Sequence, residues 1–185
     1  MLSDLYYLTD NMPVDQSAVP ELPGTQWGTI IASPQGRPAP VTPPECSLFL
    51  SQGEATQKAL ALRSSNGAAI GVELAVTPHT VVVDGLIERC ASFSVTTPAL
   101  RSATQLEAAD FGSAPPGTVS VLMHTRTTTD TQSLAWDIAM IVGTRRGLLV
   151  IAEYTPGPRG DVYDPGLASK LPALYRAQAA RLDKT

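Results

Sequence analysis

The sequence predicts an α+β fold: an antiparallel sheet of about six or seven strands, helices packed on one face, and a C-terminal helix. Three observations lead there. Apolar residues alternate with polar ones along several segments that short, turn-rich stretches connect. The strand–helix–strand alternation of a parallel sheet is missing. Leu167, Leu171, Leu174 and Leu182 fall on one helical stripe at the end of the chain.

The elements follow in chain order. Residues 2–12 are apolar and aromatic and suit a short helix or an edge strand through Leu5-Tyr6-Tyr7-Leu8. Pro13, Pro20 and Pro23 mark an extended loop, and Thr25 to Ala32 reads as a strand. Ser33 to Pro44 is proline-rich and irregular. Pro43 and Pro44 suit the first turn of a helix over Glu45 to Ser51, which would carry Cys46 inward beside Leu48 and Leu50. Thr56 to Arg63 and Ala68 to Val76 flank Ser64-Ser65-Asn66-Gly67, and Asn-Gly suits the positive φ angles of a hairpin turn. Ile70, Val72, Leu74 and Val76 then share one face, with Gly71, Glu73 and Ala75 on the other. Over Thr77 to Cys90 the period becomes helical, with Thr80 as N-cap and Val83, Leu86, Ile87 and Cys90 on one side.

Ser92 to Thr97 and Leu100 to Glu107 read as strands, with a loop over Phe111 to Gly117. Three longer strands follow. Thr118 to Thr128 sets Val119, Val121 and Met123 against Ser120, Leu122, His124 and Arg126. Leu134 to Val142 aligns Leu134, Trp136, Ile138, Met140 and Val142, and Leu148 to Tyr154 is apolar on both faces, as a central strand would be. Gly143 to Gly147 is the turn between these last two. Pro156 to Pro165 forms a loop, and Pro172 kinks or restarts the closing helix over Leu167 to Leu182. The 185 residues suit one domain over 1–185, which at this size buries roughly 70% of the unfolded chain's surface.

Charge and composition exclude several classes of function. With 43% hydrophobic and 16% charged residues the chain is not a disordered tail. A net charge of -4 without a basic cluster argues against nucleic acid as a partner. No run approaches the roughly 20 apolar residues that span a bilayer. Met1-Leu2-Ser3-Asp4 lacks the features of a signal peptide, so the chain either stays in the cytosol or begins after a removed signal. Cys46 and Cys90 are too far apart for a CxxC pair. They are either two buried thiols or one disulfide, which would stabilise by roughly 4 kcal/mol in the chain-entropy model.

Motifs for catalysis are sparse. The two histidines, His79 and His124, lie in different elements, and there is no HExxH, Cys/His cluster, P-loop or GxGxxG. Neither a metal nor a cofactor is expected. Ser120, His124 and Asp137 could be drawn as a hydrolase triad, but no GxSxG accompanies them, and same-face residues on adjacent strands also make ordinary polar patches. Trp27 and Trp136 suit the core. Arg159-Gly160-Asp161 spells an adhesion tripeptide inside a turn-forming loop, where turn chemistry alone accounts for it. His124, Arg126 and Asp137 are the ligand-binding candidates, with His124 and Arg126 as anchors for an acidic or polar ligand.

Leu5-Tyr6-Tyr7-Leu8-Thr9 with Pro13, Pro43-Pro44-Glu45-Cys46, and Cys90-Ala91-Ser92-Phe93 together resemble a pattern of mycobacterial lipoproteins and of the extracellular sensor domain of the kinase PknH. The strand-rich second half and the closing helix match as well. The resemblance implies a sheet with helices on one side, a groove for a small or polar ligand, an extracytoplasmic location and a Cys46–Cys90 pair. The chain departs from the kinase sensor in having one possible disulfide where that domain has two, and it shows no lipid-attachment cysteine near Met1. The expectation is a non-enzymatic, monomeric ligand-binding or sensor-like domain of the cell envelope or secreted space. Its partner would be a small molecule, lipid or glycan, and it would meet the membrane only through a tether absent from this chain. The alternatives are a protein–protein adaptor of the envelope or cytosol, binding at an exposed edge strand, and a hydrolase whose site no motif reveals.

Overall fold

A strand that is apolar on both faces needs cover on both sides, and the Leu148 to Tyr154 segment is the centre of a sheet that has it. The computed structural model describes residues 14, 26–30, 40–50, 57–63, 67–76, 81–157 and 162–184. The chain runs β1 (Gln26–Ile30), β2 (Val41–Thr42), a 3₁₀ helix (Pro44–Leu50), β3 (Gln57–Arg63), β4 (Ala69–Val76) and α1 (Leu86–Arg89). It continues through β5 (Ser92–Thr96), β6 (Arg101–Ala108), β7 (Thr118–Thr128), β8 (Ser133–Arg145) and β9 (Leu148–Thr155) to α2 (Pro165–Ala168) and α3 (Leu171–Leu182). The strands form one sheet in the order β1-β3-β4-β9-β8-β7-β6-β5-β2. Every neighbouring pair is antiparallel.

The α+β class, the antiparallel sheet and the C-terminal helix are those the sequence predicts. The sheet holds nine strands rather than about six or seven: the eight segments marked as strands one by one are all present, and β2 adds a two-residue edge strand within the proline-rich stretch. The helices are divided between both faces rather than gathered on one. On the first face, Ile70, Val72, Leu74, Ala139, Ile141, Val150, Ala152 and Tyr154 pack with Leu171, Leu174, Tyr175 and Leu182 of α3. On the second, Val121, Met123, Met140, Val142, Leu149 and Ile151 pack with Cys46 and Phe49 of the 3₁₀ helix and with Leu86 and Cys90 around α1. Residues 148–151 alternate between the two clusters, as the period of two along a strand requires.

Cys46 and Cys90 are joined by a disulfide, S–S 2.08 Å, buried in the second cluster. Phe49 and Phe93 stack in the same cluster with ring centroids 6.2 Å apart. The Cys46 segment is a 3₁₀ helix, so Phe49, three residues on, shares its inward side, while Leu48 and Leu50 are only partly buried. The helix expected from Thr77 to Cys90 occupies only Leu86–Arg89, because Val81 to Val83 are β-branched and stay outside it. The β8–β9 turn is tighter than expected: β8 continues to Arg145, leaving Arg146 (φ 51) and Gly147 (φ 78) as a two-residue turn with both φ angles positive. The closing helix restarts at Pro172, as α2 and then α3. Val14 N–H donates to Oε1 of the buried Gln178 on α3 at 2.9 Å. The expectations for residues 2–12, the Trp27 side chain, the Asn66 turn position, Thr80, His79 and Arg159-Gly160-Asp161 fall outside what is described. Trp136 is half-buried.

Candidate functional site

Three consecutive meander strands bring the site together. Along β7, Val119, Val121 and Met123 enter the second cluster, so Ser120, Leu122, His124 and Arg126 lie on the opposite face, the α3 face. The register sets Asp137 of β8 directly opposite His124. On the other side Gln105 of β6 faces His124, and Glu107 faces Leu122, one step along the same face. The helix α3 covers the stretch of β8 from Ala139 to Gly143, where Tyr175 meets the sheet. Asp137 and His124 lie beyond that stretch and stay partly open to solvent, each with about 40% of its side chain exposed.

The imidazole of His124 is held from both sides. Nδ1 lies 2.7 Å from Oδ1 of Asp137. A carboxylate only accepts, so Nδ1 carries a proton and donates it. Nε2 lies 3.3 Å from Oε1 of Glu107, whose side chain is 62% exposed. The Asp137 bond raises the imidazole pKa above its ordinary value, partial burial opposes that, and Glu107 raises it further. The doubly protonated ring satisfies both carboxylates at once, since each nitrogen then donates. Arg126, two residues on and about 7 Å along the strand, is exposed and makes no ion pair among the described residues.

The structure therefore joins His124 and Asp137 directly and places Arg126 on the same face without contact to either. It does not assemble the triad drawn with Ser120. Four steps along the strand take Ser120 to His124, about 13 Å, and the Nε2 that would serve Ser120 faces Glu107. Ser120 Oγ is itself buried without a hydrogen-bond partner. The two carboxylates sit on opposite ring nitrogens and do not converge on one point. Among the described residues no group of three His, Cys, Asp or Glu side chains could hold a metal ion.

Glu107 escaped the sequence reading, although it was placed on a strand. Alternation assigns a residue to a face but not to a partner, and only the β6–β7 register brings Glu107 to His124. Tyr163 was missed for a similar reason. It follows β9 in a loop, packs against Tyr154 with ring centroids 5.8 Å apart, and has its phenol pushed up by burial first, then by Tyr154, Asp137 and Asp164.

A second acidic pair lies on the opposite face of the sheet. Glu73 faces Ile151, and Glu153 faces Gly71, so the two carboxylates are diagonal neighbours on β4 and β9. Glu73 is buried. Burial, and then the charge of Glu73, push the Glu153 carboxyl up to about 7. Because Glu153 and Ser120 lie on opposite faces of the sheet, they cannot act on one substrate atom.

No family model matches the chain, and no curated protein matches it. Among solved structures it is similar to an uncharacterized protein of Mycobacterium smegmatis, the Rv0999 ortholog, at 13% identity and a TM-score of 0.47, over 88% of this chain and 90% of that one. No helix among the described residues is long and apolar enough to cross a membrane.

Proposed function

We propose that this chain is an extracytoplasmic, non-enzymatic binding domain whose ligand carries an anionic group, recognised by Arg126 and by the imidazolium of His124. The 2.7 Å bond from His124 to Asp137 carries the reading. It favours the protonated ring and holds it in place on an open stretch of sheet, two residues from an exposed arginine. Phosphate and carboxylate groups are the acceptors that such donors suit. The Nε2 that would offer a lone pair as a general base faces the Glu107 carboxylate and not a hydroxyl or thiol, which supports binding over catalysis. The raised pKa of Glu153 is the feature most in favour of a hydrolase, but among the described residues no histidine lies on its face of the sheet, and the strand serine that does, Ser102 of β6, stands three strands away from β9.

The buried disulfide supports the compartment, because such bonds persist outside the reducing cytosol. The resemblance of the cysteine contexts to mycobacterial envelope lipoproteins and to the PknH-type sensor points the same way. The adaptor reading gains little among the described residues, where the exposed large hydrophobics Val82, Leu134 and Val162 lie in three separate segments.

The test is calorimetric titration at pH 5.5 with inorganic phosphate, with vesicles of an anionic phospholipid, and with neutral phosphatidylcholine vesicles as control. Binding to one or both anionic probes is expected, weakened about tenfold or more by Arg126→Ala. Phosphate alone would indicate a soluble ligand, and vesicles alone a lipid headgroup. Equal binding by wild type and Arg126→Ala, or none at all, would sink the reading.

A further inference from the structure

We propose that Glu107 is a tethered competitor at this site: its carboxylate occupies the His124 Nε2 position that the anionic group of a ligand takes. The inference rests on the binding reading above and adds a gate to it. The two carboxylates at His124 are not equivalent. Asp137 sits directly opposite in register and makes the short contact to Nδ1, 2.7 Å. Glu107 reaches Nε2 diagonally from the neighbouring strand, at 3.3 Å, with 62% of its side chain in solvent.

A carboxylate so exposed gains little from one long ion pair, and its side chain is free to turn away into water at small cost. Asp137 therefore holds the ring, and Glu107 covers its outer nitrogen. Glu107 approaches from the Leu122 side of His124, and Arg126 stands on the other side, opposite Ala103. A phosphate or carboxylate at Nε2 that the long Arg126 side chain turns back to meet makes two charged contacts where Glu107 makes one. It displaces Glu107 while leaving the Asp137 bond intact. On this account Glu107 fixes the threshold of the site, admitting doubly engaged anions and turning away those that reach only the imidazole. Among the described residues the charged and titratable groups around His124 are Glu107 on β6, Arg126 on β7, Asp137 on β8 and Tyr163 after β9.

The experiment titrates inorganic phosphate into wild type, Glu107→Gln, Arg126→Ala and Glu88→Gln at pH 5.5. The ring resonances of His124 are followed by NMR. At that pH the imidazole is protonated in each variant, so a change in its pKa does not disturb the comparison. Glu107→Gln should bind roughly two- to fivefold more tightly than wild type, the range expected for one exposed ion pair. Glu88, exposed and on α1, controls for net charge alone. Unchanged or weaker binding by Glu107→Gln, with wild-type binding intact, overturns the competitor and leaves the site standing. An equal gain in Glu88→Gln overturns it too. Absence of any phosphate-dependent shift at His124 in all variants removes the site itself, and the gate with it.

Discussion

A carboxyl group enclosed beside a second carboxylate holds its proton more tightly than one in water, and Glu153 is so placed. Its pKa of about 7, against 4.5 for the free side chain, is a statement about stability. Between those values the folded chain binds more protons at Glu153 than the unfolded chain does. Stability is therefore fully present below about pH 4.5 and is lost as pH rises through 7, by on the order of 3 kcal/mol. Glu153→Gln cannot ionise, so its urea-unfolding free energy should fall less across this window than that of wild type, leaving the variant more stable at pH 8. His124 adds to the wild-type slope with the same sign, because its raised pKa also favours the protonated folded state. A wild-type profile that rises from pH 5 to 8 would contradict the placement of Glu153. Glu73 was legible in the sequence as a position on one strand face, while Glu153 was passed over in a strand read as apolar on both faces. Their effect on each other was not legible, because it depends on which residue of β9 faces which residue of β4.

At the scale of elements, the β8–β9 hairpin and α3 are locked together at one end of the sheet. Arg145 Nε and Nη2 donate to the two carboxylate oxygens of Asp183 at 2.8 and 2.6 Å, and Arg146 Nη1 donates to the carbonyl of Leu182 at 2.8 Å. Both arginines thus hold the last turn of the helix, where cations also suit its dipole. Beneath that contact Gly143 lies in β8, and a Cβ there would meet the Tyr175 hydroxyl and Thr118 Cγ2. Gly143→Ala should lift α3 from the sheet and lower stability by about 1–3 kcal/mol, seen as a lower urea midpoint with an unchanged slope. A midpoint equal to that of wild type would mean that the helix sits farther away. The sequence marked Gly143 to Gly147 as a turn, because two glycines bracket two arginines. It could not show that Gly143 is a strand residue, since its lack of a side chain answers to a helix twenty-eight to thirty-nine positions later. Similarly, of the helically spaced Val83, Leu86, Ile87 and Cys90 only Leu86 and Ile87 fall within the helix, with Cys90 as its C-cap, because the β-branched run left only one turn.

For the whole molecule, the double-sided burial of Leu148 to Tyr154 was the readable sign that something covers each face. The sequence could not say what, because the two covers come from different halves of the chain: α3 on one face, and on the other the pair of short helical segments joined by Cys46–Cys90. The second cover is the weaker by construction. It consists of a 3₁₀ helix of seven residues and an α-helix of four, next to a two-residue strand at the sheet edge. Elements this short gain little from their own hydrogen bonds. The disulfide spans 44 positions and restricts the unfolded chain by an amount worth about 4 kcal/mol in the entropic account. Replacing both cysteines by serine should thus cost a few kcal/mol, and the loss should be uneven. In hydrogen exchange, amides of β2, β5 and the 3₁₀ helix should lose protection first, while β8 and β9 keep theirs up to global unfolding. Uniform loss would mean that the disulfide acts on the unfolded chain alone and that the second face stands without it. Loss confined to the β2–β5 edge would make oxidation the step that completes this face. The His124 site lies on the opposite face, and in the reduced protein it should then keep its Asp137 bond and its anion affinity unchanged.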